Sequence, residues 1–240
     1  MIGLIKAEMK KFKKSKIKYC TLVLFIPTII SFLMYAFNEK YDAVEWKSYF
    51  NIIITFLNYI VCSIVYGIIT AHTIGSEYET RSINILFTYP INRIKILFSK
   101  LLFVFVIIVI ALFSVFAISL GSGLIIEHEP ITSGIVLCYL FAFVKMMFYH
   151  FMLISIVSAV TITTKSVLSS IIFIISVSFA NLVVVNTSLS VFYPWSAPLL
   201  LSPHENVGRN FIAYNISFIS LAVIFVVGLI ISIRRYKYIQ

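Results

Sequence analysis

The chain is poor in the residues on which soluble chemistry depends. Only 12% of its 240 residues are charged, and nine are acidic. Its three cysteines, Cys20, Cys62 and Cys138, all fall in apolar segments. They form no CxxC pair and leave an odd thiol, so neither a metal site nor a disulfide framework is implied. Such thiols are expected to be buried and inert. No GxxxxGK[ST] occurs, and Gly121-Ser122-Gly123 lies in an apolar run with no Lys-Ser or Lys-Thr after it, which excludes a P-loop. GxSxG and HExxH are also missing, and His72, His128, His150 and His204 are scattered. Glu127-His128-Glu129 is the one compact set with metal-ligand chemistry, but it has no further ligand at a useful spacing and reads as a solvated loop. The expected tally of catalytic and metal-binding residues is none. The residue alternation of a membrane β-barrel is absent too.

Apolar sequence dominates instead. Hydrophobic residues make up 61% of the chain, and its mean hydropathy is +1.04. Runs of 18 or more apolar residues read as transmembrane helices. Six are expected, at roughly 18–37, 50–74, 94–126, 134–162, 166–186 and 210–233. The fold class is an all-α integral membrane protein, with residues 1–240 as one domain.

The net charge is +10, with lysines at positions 6, 10, 11, 13, 14, 16 and 18. In so apolar a chain this cluster signals membrane topology and not nucleic-acid binding. With the N-terminus inside, the internal segments also hold Arg81, Arg93, Lys95, Lys100, Lys165, Arg234, Arg235 and Lys237. The external ones hold only Lys40, Lys47 and Arg209. Both termini are therefore expected in the cytoplasm. The basic start followed by an apolar run superficially resembles a signal peptide, but the run is too long and no small-residue cleavage site comes after it, so a retained first span is expected.

Residues 1–17 read as a cytoplasmic surface helix. Ile2, Ile5, Met9 and Phe12 recur at helical spacing, with lysines on the other faces, a pattern suited to the interface and to anionic lipid. The third span is too long for a hydrocarbon core of about 30 Å. Its first turns are expected to project into the cytoplasm with Arg93, Lys95 and Lys100. The stretch 187–209 holds Pro194, Pro198 and Pro203 beside Phe192, Tyr193 and Trp195. It is too apolar for a free loop and too broken for a span, so an external re-entrant or interfacial element is expected.

The internal segment 75–93 is more structured than a simple turn needs. Ser76-Glu77-Tyr78-Glu79 fits a capping box, with Ser76 as N-cap and the two acids in the first turn of a new helix. Glu79, Ile83, Leu86, Phe87 and Pro90 then share one side, and Pro90 stops the helix near Tyr89. Asn92 is positioned to cap the third span. A helix resting on the bilayer explains the apolar face; docking to a soluble partner also explains the acids beside Arg81.

Polar residues inside the spans are candidate functional groups. Asn51, Thr55, Asn58 and Cys62 lie on one face of the second span. This face lines a substrate path or a seam between subunits, or bonds helices within one subunit. Lys145 sits inside the fourth span, with Tyr149 and His150 nearby, and either contacts an anion or snorkels outward.

The Lys-rich start, the six spans and the run Gly75-Ser76-Glu77-Tyr78-Glu79-Thr80-Arg81-Ser82-Ile83 through Thr88-Tyr89-Pro90-Ile91 to Arg93 resemble the permeases of exporter-type ABC transporters, the ABC type 2 family. The lantibiotic-immunity and bacitracin-resistance permeases are the nearest in pattern. The resemblance implies a coupling helix begun by Glu77, Tyr78, Glu79 and Arg81 and closed by Leu86, Tyr89, Pro90 and Arg93, seated on a separate ATP-binding subunit. ATP and Mg²⁺ would be bound by that subunit, with no cofactor on this chain. It also implies a second permease, identical or related, and export of an amphipathic or membrane-inserted substrate such as an antimicrobial peptide. The alternative is an ATPase-independent membrane enzyme or structural membrane subunit.

Overall fold

The computed structural model describes residues 2–37, 46–83, 92–126, 130–202 and 211–237. Among these residues there are helices and no strands. Six stretches are long and apolar enough to cross a membrane: Lys16–Ala36, Trp46–Glu79, Arg93–Ile125, Ser133–Thr164, Val167–Val184 and Ile212–Lys237, here spans 1 to 6. All six expected spans are present.

Helix α1 (Ile2–Lys14) packs on the bundle. Ile5, Met9 and Phe12 lie against the main core, while Ile2 stays exposed. The Phe12 ring meets Phe103 of span 3 edge-on at 5.6 Å. The helix stops before residue 17 because Ser15 turns extended and its Oγ accepts a hydrogen bond from Ile17 N. Span 1 then starts as a 3-10 helix, Lys16–Phe25, and relaxes into α2, Ile26–Ala36. Pro27 sits in the first turn of α2, where its missing N–H leaves no helical bond unmade.

Span 2 combines α3 (Trp46–Phe56), a π-helical turn (Leu57–Val61) and α4 (Cys62–Glu79). It is longer at both ends than its hydropathy suggested. Gly75 lies inside α4, against Val167 and Thr161, where a side chain would clash. Span 3 is α5 (Arg93–Ile125), and Asn92 caps it as expected, its Oδ1 accepting from Ile94 N at 2.9 Å. Span 4 is α6 (Ser133–Thr164), closed by Lys165 in the left-handed conformation.

Spans 2, 3 and 4 have 34, 33 and 32 residues, whereas span 5, α7 (Val167–Val184), has 18. At about 1.5 Å per residue, the first three run roughly 50 Å and the last only about 27 Å. The chain after span 5 occupies the space above its short end. It makes a 3-10 turn, Ser188–Val191, and a short helix, α8 (Ala197–Leu201). The Tyr193 hydroxyl donates to Val177 O at 2.7 Å, so this segment folds back toward the middle of the bundle. Trp195 is buried edge-on to Phe173, and Ala197 and Leu201 join Leu153, Val157 and Ile174 in a second core. Residues 203–209, the rest of the expected external element, lie outside the described residues.

Span 6, α9 (Phe211–Lys237), packs along span 4 at Gly228. At the end of the bundle opposite α1, Trp46, Tyr49, Phe50 and Tyr139 form an aromatic cluster, with Phe50 stacked on Tyr139 at 4.6 Å.

Candidate functional site

The densest polar site lies at the α1 end, where α1, span 2 and span 3 meet. Glu77 Oε1 accepts a hydrogen bond from Lys11 and forms an ion pair with Lys100, each Nζ lying at 2.7 Å. Glu8 Oε1 accepts from the same two ammonium groups, at 3.2 Å from Lys11 and 2.9 Å from Lys100. Lys100 Nζ also donates to Thr73 O at 3.1 Å. Two hydrogen bonds and two carboxylates thus surround this buried ammonium, the pairing that a charge so placed needs. A cavity of about 40 Å³, lined in part by His72, Thr73, Ser76 and Glu77, adjoins this cluster. Burial lowers the pKa of Lys11, but its hydrogen bond to Glu77 and the charges of Glu77 and Glu8 outweigh that, so the net shift is upward.

This arrangement corrects three expectations. Ser76 does not start a helix: Thr80 N donates to Ser76 O, and Glu77 and Glu79 lie in the last turn of α4. The pairing of Glu77 holds that turn in register, overriding the local capping pattern. The segment expected to leave the helix at residue 75 instead leaves after Glu79, with Thr80 as C-cap. Lys100 does not project: its side chain is 1% exposed, because Glu8 of α1 and Glu77 of span 2 draw it inward.

The other residues expected to couple to an ATPase separate from one another. Tyr78 is half-buried among Ile83, Ile96 and Tyr236. Glu79 is exposed and accepts from Val167 N at 2.8 Å, tying span 2 to the first turn of span 5. Arg81 is exposed, with a positive φ of 56°. Arg93 Nη1 donates to Lys237 O at 3.2 Å, joining the start of span 3 to the end of span 6. Leu86, Tyr89 and Pro90 lie outside the described residues.

Residues 4–181 match a family described as ABC-2 family transporter protein. The chain is also 31% identical, over 178 residues, to the bacitracin transport permease protein BCRB of Bacillus licheniformis; the alignment covers 73% of this chain and 84% of that protein. The chain belongs to the ABC-2 transporter family. It is a multi-pass membrane permease, which decides against the self-contained enzyme or structural subunit.

Within this ABC-2 permease a second polar site lies at the π-turn of span 2. Asn58 is fully buried. Its Nδ2 donates to Ser202 Oγ at 3.2 Å, and its Oδ1 pairs with His150 Nε2 at 3.1 Å. Ser202 Oγ in turn donates to Pro198 O at 2.6 Å. With the amide so oriented, His150 carries its proton on Nε2. Asn181 Nδ2 donates to Tyr59 O at 2.9 Å, satisfying a carbonyl of the π-turn. A side-chain amide from span 5 thus supports the irregular turn, as hydrocarbon surroundings require. Spans 2, 4 and 5 and the returning segment are pinned at one level.

The polar face expected on span 2 is largely used inside the subunit. Asn51 Oδ1 accepts from the Tyr139 hydroxyl at 3.2 Å, Thr55 is half-buried, and Cys62 is buried. Lys145 stands apart from this network, exposed on the outer face of span 4 between Phe141 and Phe148. The sequence offered signals for the missed members. Glu8 is the lone acid among the N-terminal lysines, and Asn181 is an amide in an apolar helix.

Proposed function

We propose that this permease is the membrane half of an ATP-driven exporter in the bacterial cytoplasmic membrane, with both termini in the cytoplasm. A separate ATP-binding subunit, holding ATP and Mg²⁺, seats on the segment after Glu79. Tyr78, Arg81, Leu86, Tyr89, Pro90 and Arg93 are the residues proposed to form or orient that contact. A second permease, identical or related, completes the pathway. The related permease is named for bacitracin transport, and an amphipathic antimicrobial peptide is the proposed substrate class here.

One observation carries the reading: the root of the 80–92 segment is tied to three other elements. Glu77 holds it to span 3 and α1, and Glu79 holds it to span 5. A push by the ATPase on this segment is then delivered to several spans at once and not absorbed by a slack loop. Transport results if the two bundle states differ in substrate affinity. The lysine and arginine bias supports the orientation.

The test is capture of the tagged chain from its native host in mild detergent, with mass spectrometry of its partners. A stoichiometric subunit with a P-loop is expected. Recovery of the chain alone, repeated under gentle cross-linking, overturns the reading.

A further inference from the structure

The only acid in residues 1–38 is Glu8, and it is turned inward to Lys100, with its side chain 11% exposed. Lys11 joins it in the same cluster. The outward face of this region is therefore cationic without relief: Lys6, Lys10, Lys13, Lys14 and Lys16 are all exposed. Lys18 bends back, donating to Lys13 O at 3.0 Å with its ammonium 5.1 Å from the centre of the Tyr19 ring. The chain turns at Ser15, so Lys13, Lys14, Lys16 and Lys18 gather at one elbow between α1 and span 1.

The first turns of span 1, just beyond the elbow, decide its partner. Tyr19, Leu22, Val23 and Ile26 are large, apolar or amphipathic, and exposed at the start of a membrane-crossing helix. A lysine cluster directly beside such a surface, with an aromatic ring at the boundary, lies at headgroup depth. Long lysine stems at this position bring their ammonium groups to phosphate level.

We propose that the Lys13–Lys18 elbow is a docking surface for the phosphate headgroups of anionic phospholipid. Inward capture of Glu8 builds the surface by removing the one carboxylate of residues 1–38 that would compete with phosphate for these lysines. Lipid bound there holds α1 against the bundle from outside, as the Glu8–Lys100 pair does from within. The naming of the leaflet as cytoplasmic rests on the proposed function; the lipid chemistry does not.

The experiment uses the purified full-length chain, so it is read without any ATPase. Native mass spectrometry in mild detergent compares retention of dioleoylphosphatidylglycerol with that of dioleoylphosphatidylcholine. The wild type is expected to favour the anionic lipid about tenfold or more, the preference collapsing in about 0.5 M salt. K13Q/K14Q/K16Q/K18Q is expected to lose it, and the matching arginine variant to keep it. Equal retention of both lipids by the wild type, or a preference indifferent to salt, overturns the proposal even if the glutamine variant does not purify. So does a glutamine variant that purifies and keeps the lipid preference, which would place the lipid contact away from the elbow.

Discussion

Lys100 Nζ lies 2.7 Å from Glu77 Oε1 with both side chains nearly sealed from solvent, one 1% and the other 8% exposed. Charges this deeply placed are tolerated only together. Removing either partner leaves the four-residue cluster one charge out of balance, although Glu8 still faces Lys100 and Lys11 still faces Glu77, so Glu77→Gln and Lys100→Met should each destabilise the permease by up to about 3–5 kcal/mol. The double variant should cost clearly less than the sum. Glu77→Lys sets a third cation beside Lys11 and Lys100 and should be the most damaging of all, a folding defect and not a selective loss of coupling. Thermal unfolding of the purified chains in one detergent reads all four. Singles within about 1 kcal/mol of wild type would falsify the buried-pair account.

Glu79 separates coupling from stability better than Glu77 does. It is exposed, and its main described contact is the hydrogen bond accepted from Val167 N. A cap of this kind is worth about 1 kcal/mol, and Ser166 Oγ also caps the same helix. Glu79→Ala should therefore lower the unfolding temperature by only a few degrees. It should reduce ATP-driven transport more than that loss of stability explains, because spans 2 and 5 then move less as one body. Normal transport by a well-folded Glu79→Ala protein would remove Glu79 from the coupling path.

The six spans and the cap at Asn92 were legible because hydropathy and capping are local properties. The end of span 2 was not. Ser76-x-x-Glu79 is a valid local start signal, and only the distant partners Lys11, Lys100 and Val167 keep the helix running through it. The burial of Lys100 was hidden for the same reason, since its acceptor lies 92 positions away at Glu8. The π-turn at Leu57–Val61 leaves no mark in the sequence beyond a buried amide, because a single extra residue in a helix shifts no hydrophobic period visibly.

The Asn58 network makes a different prediction from the ion cluster. Asn58→Leu removes the hydrogen-bond partner of His150 Nε2 and one of the two partners of Ser202, leaving buried polar atoms unmet at about 1–3 kcal/mol. Pairing it with His150→Phe removes the stranded group on span 4, so the double variant should regain part of the loss. Unfolding temperatures of the two singles and the double decide it. Strictly additive losses would show that Asn58 and His150 act independently.

Spans 4 and 6 approach closely at Gly228. A Cβ there would lie 2.6 Å from Ile156 N and 2.7 Å from the carbonyl carbon of Ser155. These are backbone atoms of a helix, so they cannot rotate aside as a side-chain tip would. Gly228→Ala must push the two spans apart, at about 1–3 kcal/mol. Ordinary helix propensity argues the other way, since alanine favours a helix over glycine by about 1 kcal/mol. Gly121 in span 3 provides the control: nothing lies within 4 Å of its would-be Cβ, so Gly121→Ala should be neutral or mildly stabilising. Opposite signs for the two substitutions in thermal unfolding are expected. Stabilisation by both would mean that the spans are not seated on Gly228 and that the close approach beside Ser155 does not hold span 6 to span 4.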